Sequence, residues 1–254
     1  MIELNKIHLG DCLQVMQSID DKSIDMILCD LPYNITQNQW DKMIPLDKLW
    51  EQYERIIKDH GAIVLTASQP FTSILIMSNL KLFRYEWIWV KNKSTGFLNA
   101  KKIPLKNHES ILVFYKKTPN YFPQKTTGHK PVNSYTKNTS DGNNYGETKK
   151  HIKGGGQTDR YPQTVIYFDV VNNDNSNNDK YHSTQKPVSL FEYIIKTYSK
   201  EGELVLDNTI GSGTTAIASL NTKRRFIGIE KEPDYVKIAN KRIDDWKSQD
   251  IFAK

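Results

Sequence analysis

Six short apolar runs, at residues 25–29, 62–67, 85–90, 110–115, 204–207 and 226–230, are mostly unbroken rather than alternating with polar residues. Unbroken runs belong to strands covered on both faces, because a strand with one wet face alternates with a period of two. A seventh, shorter run covers 6–9. Between the runs lie helical patterns, the clearest being Leu46, Leu49, Trp50, Tyr53, Ile56 and Ile57, whose spacing of three and four builds one apolar stripe. Pro187 and Pro233 stand where a first helical turn begins. The stripes Leu190, Phe191, Ile194, Ile195, Tyr198 and Val236, Ala239, Ile243, Trp246 follow them. Strands alternating with helices predict an α/β fold with a doubly wound, mostly parallel sheet, here of seven strands.

The chain has 254 residues, enough to bury the core of one large α/β domain. From 116 to 181 the composition shifts to Asn, Lys, Gly, Thr and Tyr, with three glycines at 154–156 and a polar run at 172–179. Such a stretch buries little apolar surface. The expected organisation is therefore one domain made of 1–115 and 182–254, with 116–181 inserted. The insertion holds ten Lys and Arg against six Asp and Glu, most of the chain's net charge of +6. Its aromatics Tyr121, Phe122, Tyr135, Tyr145 and Tyr161 are interleaved with lysines, which suits a region that orders on a polyanion. A loosely folded insertion accounts for the same composition. The sequence pI of about 9.0 also fits a nucleic-acid partner, although lysine-heavy genome composition gives the same excess.

Cys12 and Cys29 have no metal-type spacing, which predicts a reducing compartment and no metal site. No basic-then-apolar leader opens the sequence, and no apolar run approaches the ~20 residues of a membrane span. A soluble, cytoplasmic protein without membrane contact is the expectation.

Two strand ends carry chemistry. After the run ending at Asp207, the chain turns through Thr209, Ile210, Gly211, Ser212 and Gly213 into a helix beginning near Thr214. Glycines there let backbone approach a ligand, and the helix start offers unpaired N–H groups. Gly211, Gly213 and Ala216 fit the G-x-G-x-x-A dinucleotide pattern, with Glu230 about twenty positions on to take two ribose hydroxyls. A tight strand-to-helix turn alone explains the glycines equally well, and the missing Lys excludes a P-loop. Asp207 adds a carboxylate beside the glycines, which suits an amino group or sulfonium better than a pyrophosphate. S-adenosylmethionine fits that charge pattern. Gly10, Asp11 and Cys12 form another strand-end turn, where a carboxylate can accept an adenine amino group or simply make the turn. At the end of the run 25–29, Asp30, Leu31, Pro32 and Tyr33 offer a carboxylate, stiff backbone with free carbonyls and an aromatic ring to a flat amine.

These segments resemble the amino-methylating DNA methyltransferases, which act on adenine N6 or cytosine N4, and within them the permuted β group. DLPY is similar to that family's D-P-P-Y, HSTQKP (182–187) to its H-P-T-Q-K-P, DNTIGSGTT (207–215) to its D-P-F-x-G-S-G-T-T, and GDC to its adenine-contacting turn. The order is the permuted one, and the resemblance covers nearly the whole chain outside the insertion. Leu31, Ser183, Asn208 and Thr209 depart from the pattern, Thr209 by removing an aromatic.

The resemblance implies a Rossmann-like methyltransferase fold whose insertion recognises the target in double-stranded DNA. It implies Asp30, Leu31, Pro32 and Tyr33 as catalytic residues. Its S-adenosylmethionine residues would be Asp11, Cys12, Asp30, Asp207, Thr209, Gly211, Ser212, Gly213, Thr214, Glu230 and Lys186. Lys186 positions the target or the helix start, or is a solvated capping lysine. In this implied mechanism Asp30 and the Leu31 carbonyl draw the hydrogens of a flipped adenine's amine out of conjugation while Tyr33 stacks on the base. Asp rather than Ser at position 30 favours adenine over cytosine. The resemblance also implies a prokaryotic or phage source; homodimers are common in the family, and the sequence leaves open both dimerisation and a restriction endonuclease partner. An NAD oxidoreductase would explain the glycines and Glu230 but not DLPY. A DNA-binding protein with a degenerate core would explain the substitutions at 31, 208 and 209. His108 and Glu109, just before the run at 110–115, and Asn92, Lys93 and Lys101, on the loop before it, lie near the expected DNA side, and ordinary loop polarity explains them equally well; Trp87 and Trp89 read as core.

Overall fold

The computed structural model describes residues 2–33, 43–137, 151–171 and 185–252. Tyr145, the polar run 172–179 and His182, Ser183 and Thr184 of the HSTQKP segment lie outside the described residues. By internal contacts the chain divides into two units, one of Met1–Phe122 with Thr164–Lys254 and the other of Pro123–Gln163.

The larger unit is built on one sheet. Its strands are β1 (Lys6–Leu9), β2 (Ile24–Asp30), β3 (Ile57–Ala67), β4 (Phe83–Thr95), β5 (Lys106–Phe114), β8 (Val165–Tyr167), β9 (Leu204–Asp207) and β10 (Arg225–Glu230), in the order β1-β10-β9-β2-β3-β5-β4-β8. The run from β1 to β3 is parallel throughout, whereas β5 is antiparallel to both β3 and β4. Seven of these strands contain the apolar runs. The eighth, β8, comes from the polar stretch and pairs parallel to β4 through only three residues, too short for a periodic signal. The helices are α1 (Cys12–Met16), α2 (Leu46–Ile56), α3 (Phe71–Ser78), α4 (Val188–Tyr198), α5 (Thr214–Asn221) and α6 (Pro233–Phe252).

The unbroken runs have the expected cause. Along β2, Ile27 and Cys29 pack with Met16, Tyr53 and Phe71 beneath α1, α2 and α3, while Met26 and Leu28 pack with Leu190, Ile194 and Tyr198 of α4. Both faces are dry, and each fully buried aliphatic side chain contributes roughly 1.5–3 kcal/mol. Ile57, which the periodicity placed on the helix stripe, instead opens β3, because the chain passes from α2 straight into the strand. Pro187 is the N-cap of α4 and Pro233 the first residue of α6. Trp87 and Trp89 are core residues, with their indole N–H groups bonded to the Tyr198 hydroxyl and the Phe168 carbonyl.

The next strand after β2 is β3, on one side of it; the next after β9 is β10, on the other side. Connections leaving two neighbouring parallel strands in opposite directions open a crevice at their carboxyl ends, where open α/β sheets bind ligands. Asp30 ends β2, Asp207 ends β9 and Glu230 ends β10.

The smaller unit contains the antiparallel pair β6 (Tyr135–Lys137) and β7 (Ile152–Gly154) and a bridge between Thr126 and Arg160. Lys125 pairs with Asp159 and lies 4.3 Å over the Tyr161 ring. No described helix is long and apolar enough to cross a membrane.

Candidate active site

A cavity of about 440 Å³ occupies the crevice, and Asp11, Cys12, Asp30, Leu31, Pro32, Tyr33, Lys186, Asp207, Thr209, Gly211, Ser212, Thr214 and Glu230 all line it. Of the predicted site residues only Gly213 lies off the wall. The early tetrapeptide and the late turn meet directly, since the Thr209 hydroxyl donates to the Asp30 main-chain carbonyl at 3.1 Å across 179 positions of sequence.

Asp30 is the most heavily held side chain at the catalytic end. Its Oδ1 accepts from the Tyr33 hydroxyl at 2.7 Å and from the Thr66 hydroxyl; its Oδ2 accepts from Lys186 Nζ at 2.6 Å. Thr66 stands opposite Asp30 in the β2–β3 register, a pairing invisible without the fold. Lys186 is only 6% exposed, and its Nζ also lies 3.4 Å from Glu109 Oε2, close enough for an ion pair but not aligned as a hydrogen bond. Burial works to lower the Lys186 pKa, but the charges of Asp30 and Glu109 outweigh it and the net shift is upward. Glu109 in turn pairs with Lys91. Asp30, Lys186, Glu109 and Lys91 thus form a row of alternating charge.

Tyr33 stacks on Phe71, with ring centroids 5.2 Å apart, so one face of its ring is covered, and the Lys186 ammonium lies 5.7 Å from its centroid. Burial, then the charges of Asp30 and Glu109, hold its phenol well above the ordinary value, so it donates as a neutral hydroxyl. Leu31 buries its side chain in the core. The family's proline is thus replaced by an anchored residue that keeps its carbonyl.

At the other end Asp207 is 2% exposed, accepts from the Thr209 N–H at 3.0 Å and from the Thr215 hydroxyl, and pairs with no Lys or Arg among the described residues. Burial raises its pKa to about 7 against those two donors, and Asp30 adds to the rise. Asn208 accepts from the Tyr53 hydroxyl and from the Cys29 thiol at 2.9 Å. Its Nδ2 has no aligned acceptor among the described residues, though the Cys12 thiol lies near enough to feel it. Gly211 has φ 52° with nothing within 4 Å of an added Cβ, leaving bare backbone at the wall. Gly213, at φ 88°, caps α5, and an added Cβ would meet Ala239 at 3.0 Å. Glu230 is held by the Gly211 and Glu232 N–H groups, each at 2.9 Å. Burial nevertheless leaves its carboxyl raised. Asp11 is the N-cap of α1 through the Leu13 and Gln14 N–H groups, both on Oδ1.

A buried carboxylate lacking a cation, bare glycine backbone and an acid at the end of β10 fit a cationic nucleoside such as S-adenosylmethionine. A family model described as DNA methylase, of the N6/N4 methyltransferase group, matches residues 24–241. The chain belongs to the N6/N4 DNA methylase family. A relative within reach of this methylase is the DNA adenine methyltransferase YhdJ of Escherichia coli (strain K12), 29% identical over 95% of this chain and 83% of the relative. Among solved structures, the M1.HpyAVI–SAM complex matches with a TM-score of 0.60 at 22% identity, covering 93% of this chain and 98% of that one. The cytosine-N4-specific PvuII DNA methyltransferase matches with a TM-score of 0.64 at 15% identity, covering 92% and 84%. These two likenesses establish a shared fold for the methylase.

Sequence reasoning missed Thr66 and Lys91 and read Glu109 as loop polarity. Lys186, expected among the cofactor residues, lines the cavity with its ammonium on Asp30 and its main-chain carbonyl accepting from the Thr214 hydroxyl at 3.4 Å, and at 6% exposure it is not the solvated capping lysine of the alternative reading.

Proposed function

We propose that this methylase transfers a methyl group from S-adenosylmethionine to the N6 amine of adenine in double-stranded DNA. The observation that carries the reading is the Asp30 carboxylate, held by Thr66, Tyr33 and Lys186 at the wall of the cavity that also contains Asp207, Gly211 and Glu230. When bound, S-adenosylmethionine supplies an electrophilic methyl group on a sulfonium. Asp207 would hold a cationic part of it, Glu230 the ribose hydroxyls through its remaining lone pairs, and Asp11 the adenine amino group.

An aromatic amine is a weak nucleophile, and a carboxylate of reference pKa ~3.9 is too weak a base to deprotonate it first. Asp30 and the Leu31 carbonyl instead accept the two amine hydrogens and turn the nitrogen lone pair out of conjugation. The donors on Asp30 fix its oxygens before the substrate arrives, so that little reorganisation accompanies reaction. After transfer the nitrogen is acidic and its proton passes to Asp30 or water. The target reaches the cavity only if flipped from the duplex, at a cost of a few kcal/mol. The region 116–181, with its net +4 charge and exposed Tyr135 and Tyr161, is assigned to target recognition.

Incubation with methyl-labelled S-adenosylmethionine and genomic DNA, followed by nucleoside analysis, tests the reading. Label in N6-methyl-2′-deoxyadenosine is expected, and label in N4-methyl-2′-deoxycytidine instead overturns the choice of base. Asp30→Ala should abolish transfer while cofactor binding by calorimetry stays within a few-fold of wild type. Retained turnover removes Asp30 from the mechanism.

A further inference from the structure

The β4–β5 hairpin carries a feature that the site chemistry leaves unused. Between residues 92 and 108 there are four lysines, Lys93, Lys101, Lys102 and Lys106, and no acidic residue. All four are exposed. The tip of the same hairpin is a short 3-10 turn, Phe97–Asn99, entered through Gly96 at φ 91°. On it Leu98 is fully exposed, Phe97 is 68% exposed, and Ile103 on the returning side is 52% exposed. Isolated apolar residues on a surface need no explanation, but three together on a cationic loop do.

The position of the loop supplies that explanation. Thr95, Lys106 and His108, at its base, line the same cavity as Asp30. Leu98 follows Thr95 by three residues and so lies within about 11 Å of that wall. An apolar tip with a lysine collar beside the cavity that holds Asp30 matches the chemistry of a duplex from which one base has left. Lysines meet phosphates, and Phe, Leu or Ile fills a gap in a base stack. A protein or lipid partner would account for the apolar tip but not for the cavity at its base.

We propose that Phe97 and Leu98 form a wedge that enters the DNA stack where the target base has flipped out, with Lys93, Lys101 and Lys102 holding the flanking phosphates. The proposal rests on the methyltransferase reading above and adds to it the residues that keep the flipped state open. The wedge acts on the duplex and not on methyl transfer itself, so its removal should matter only where the base must first be extracted.

Modification-sensitive sequencing of treated genomic DNA locates the target, and two duplexes containing it then test the wedge. One has the target paired; the other lacks the opposite base, so that flipping costs little. A Phe97→Ser, Leu98→Ser double variant should lose tenfold or more in kcat on the paired duplex and come within twofold of wild type on the gapped one. Both side chains are exposed, so the fold should be unaffected, and cofactor affinity checks this. A paired Lys101→Gln, Lys102→Gln variant should instead raise KM on both duplexes and flatten the salt dependence. Wild-type turnover with equal losses on both duplexes, or with none, overturns the wedge alone. Failure of the wild type to methylate the paired duplex overturns the methyltransferase reading and the wedge with it.

Discussion

Asp30 accepts three hydrogen bonds before any substrate is present, one of them from the Tyr33 hydroxyl at 2.7 Å. The sequence reading used Tyr33 only as a stacking ring, for which phenylalanine would serve as well. With the hydroxyl on the carboxylate, Tyr33→Phe should cost about 1.5 kcal/mol of transition-state stabilisation, roughly tenfold in kcat, with Thr66 still holding Oδ1. Wild-type kcat for that variant in a steady-state assay would show that the bond is idle. Lys186→Met should cost more in the same assay, because it leaves Asp30 and the half-buried Glu109 facing each other without their shared cation. At this scale the sequence was readable where one residue type has one use, as with Asp30 and Gly211. Thr66, Lys91 and Glu109 were not, because a threonine or a lysine in a strand acquires a role only from what the register sets against it.

The turn from β9 into α5 uses its two glycines differently, and substitution separates them. Gly213→Ala places a methyl group against Ala239 at a left-handed φ of 88°, and should destabilise the fold by about 1–3 kcal/mol, read as a lower denaturant midpoint. Gly211→Ala meets nothing in the protein and projects into open space at the cavity wall; its larger effect should be on S-adenosylmethionine affinity. A Gly213→Ala protein as stable as wild type would remove the packing account. Elements of this kind were legible from sequence because the strand before the turn is apolar on both faces and the helix after it begins where the glycines end. The three-residue β8 and the one-turn α1 were not, being too short to show a period.

Across the cavity, Asp30 at one end is paired with the Lys186 ammonium, whereas Asp207 at the other pairs with no Lys or Arg among the described residues. Asp207 has a pKa raised from the ordinary 3.8 to about 7 in the folded protein. Its contribution to stability is therefore fully present below pH 3.8 and is lost as pH rises through about 7. A cationic ligand reverses that preference by favouring the carboxylate. S-adenosylmethionine should accordingly bind more tightly as pH rises through 7 and release a fraction of a proton at pH 6. Calorimetry in buffers of different ionisation enthalpy measures that release, and a binding enthalpy independent of buffer would rule out Asp207 as the responding group.

Among the described strands β1 pairs only with β10, and Asn5 accepts from the Phe226 N–H across 221 positions of sequence. Closing so long a loop is slow, and proteins dominated by such distant pairings fold slowly. β1 thus waits for β10, which lies more than 200 residues later, and the Asp11 turn that follows β1 has no place to dock until then. Emergence of β10 from the ribosome, rather than of the early tetrapeptide, sets the moment at which a nascent chain can first hold its methyl donor.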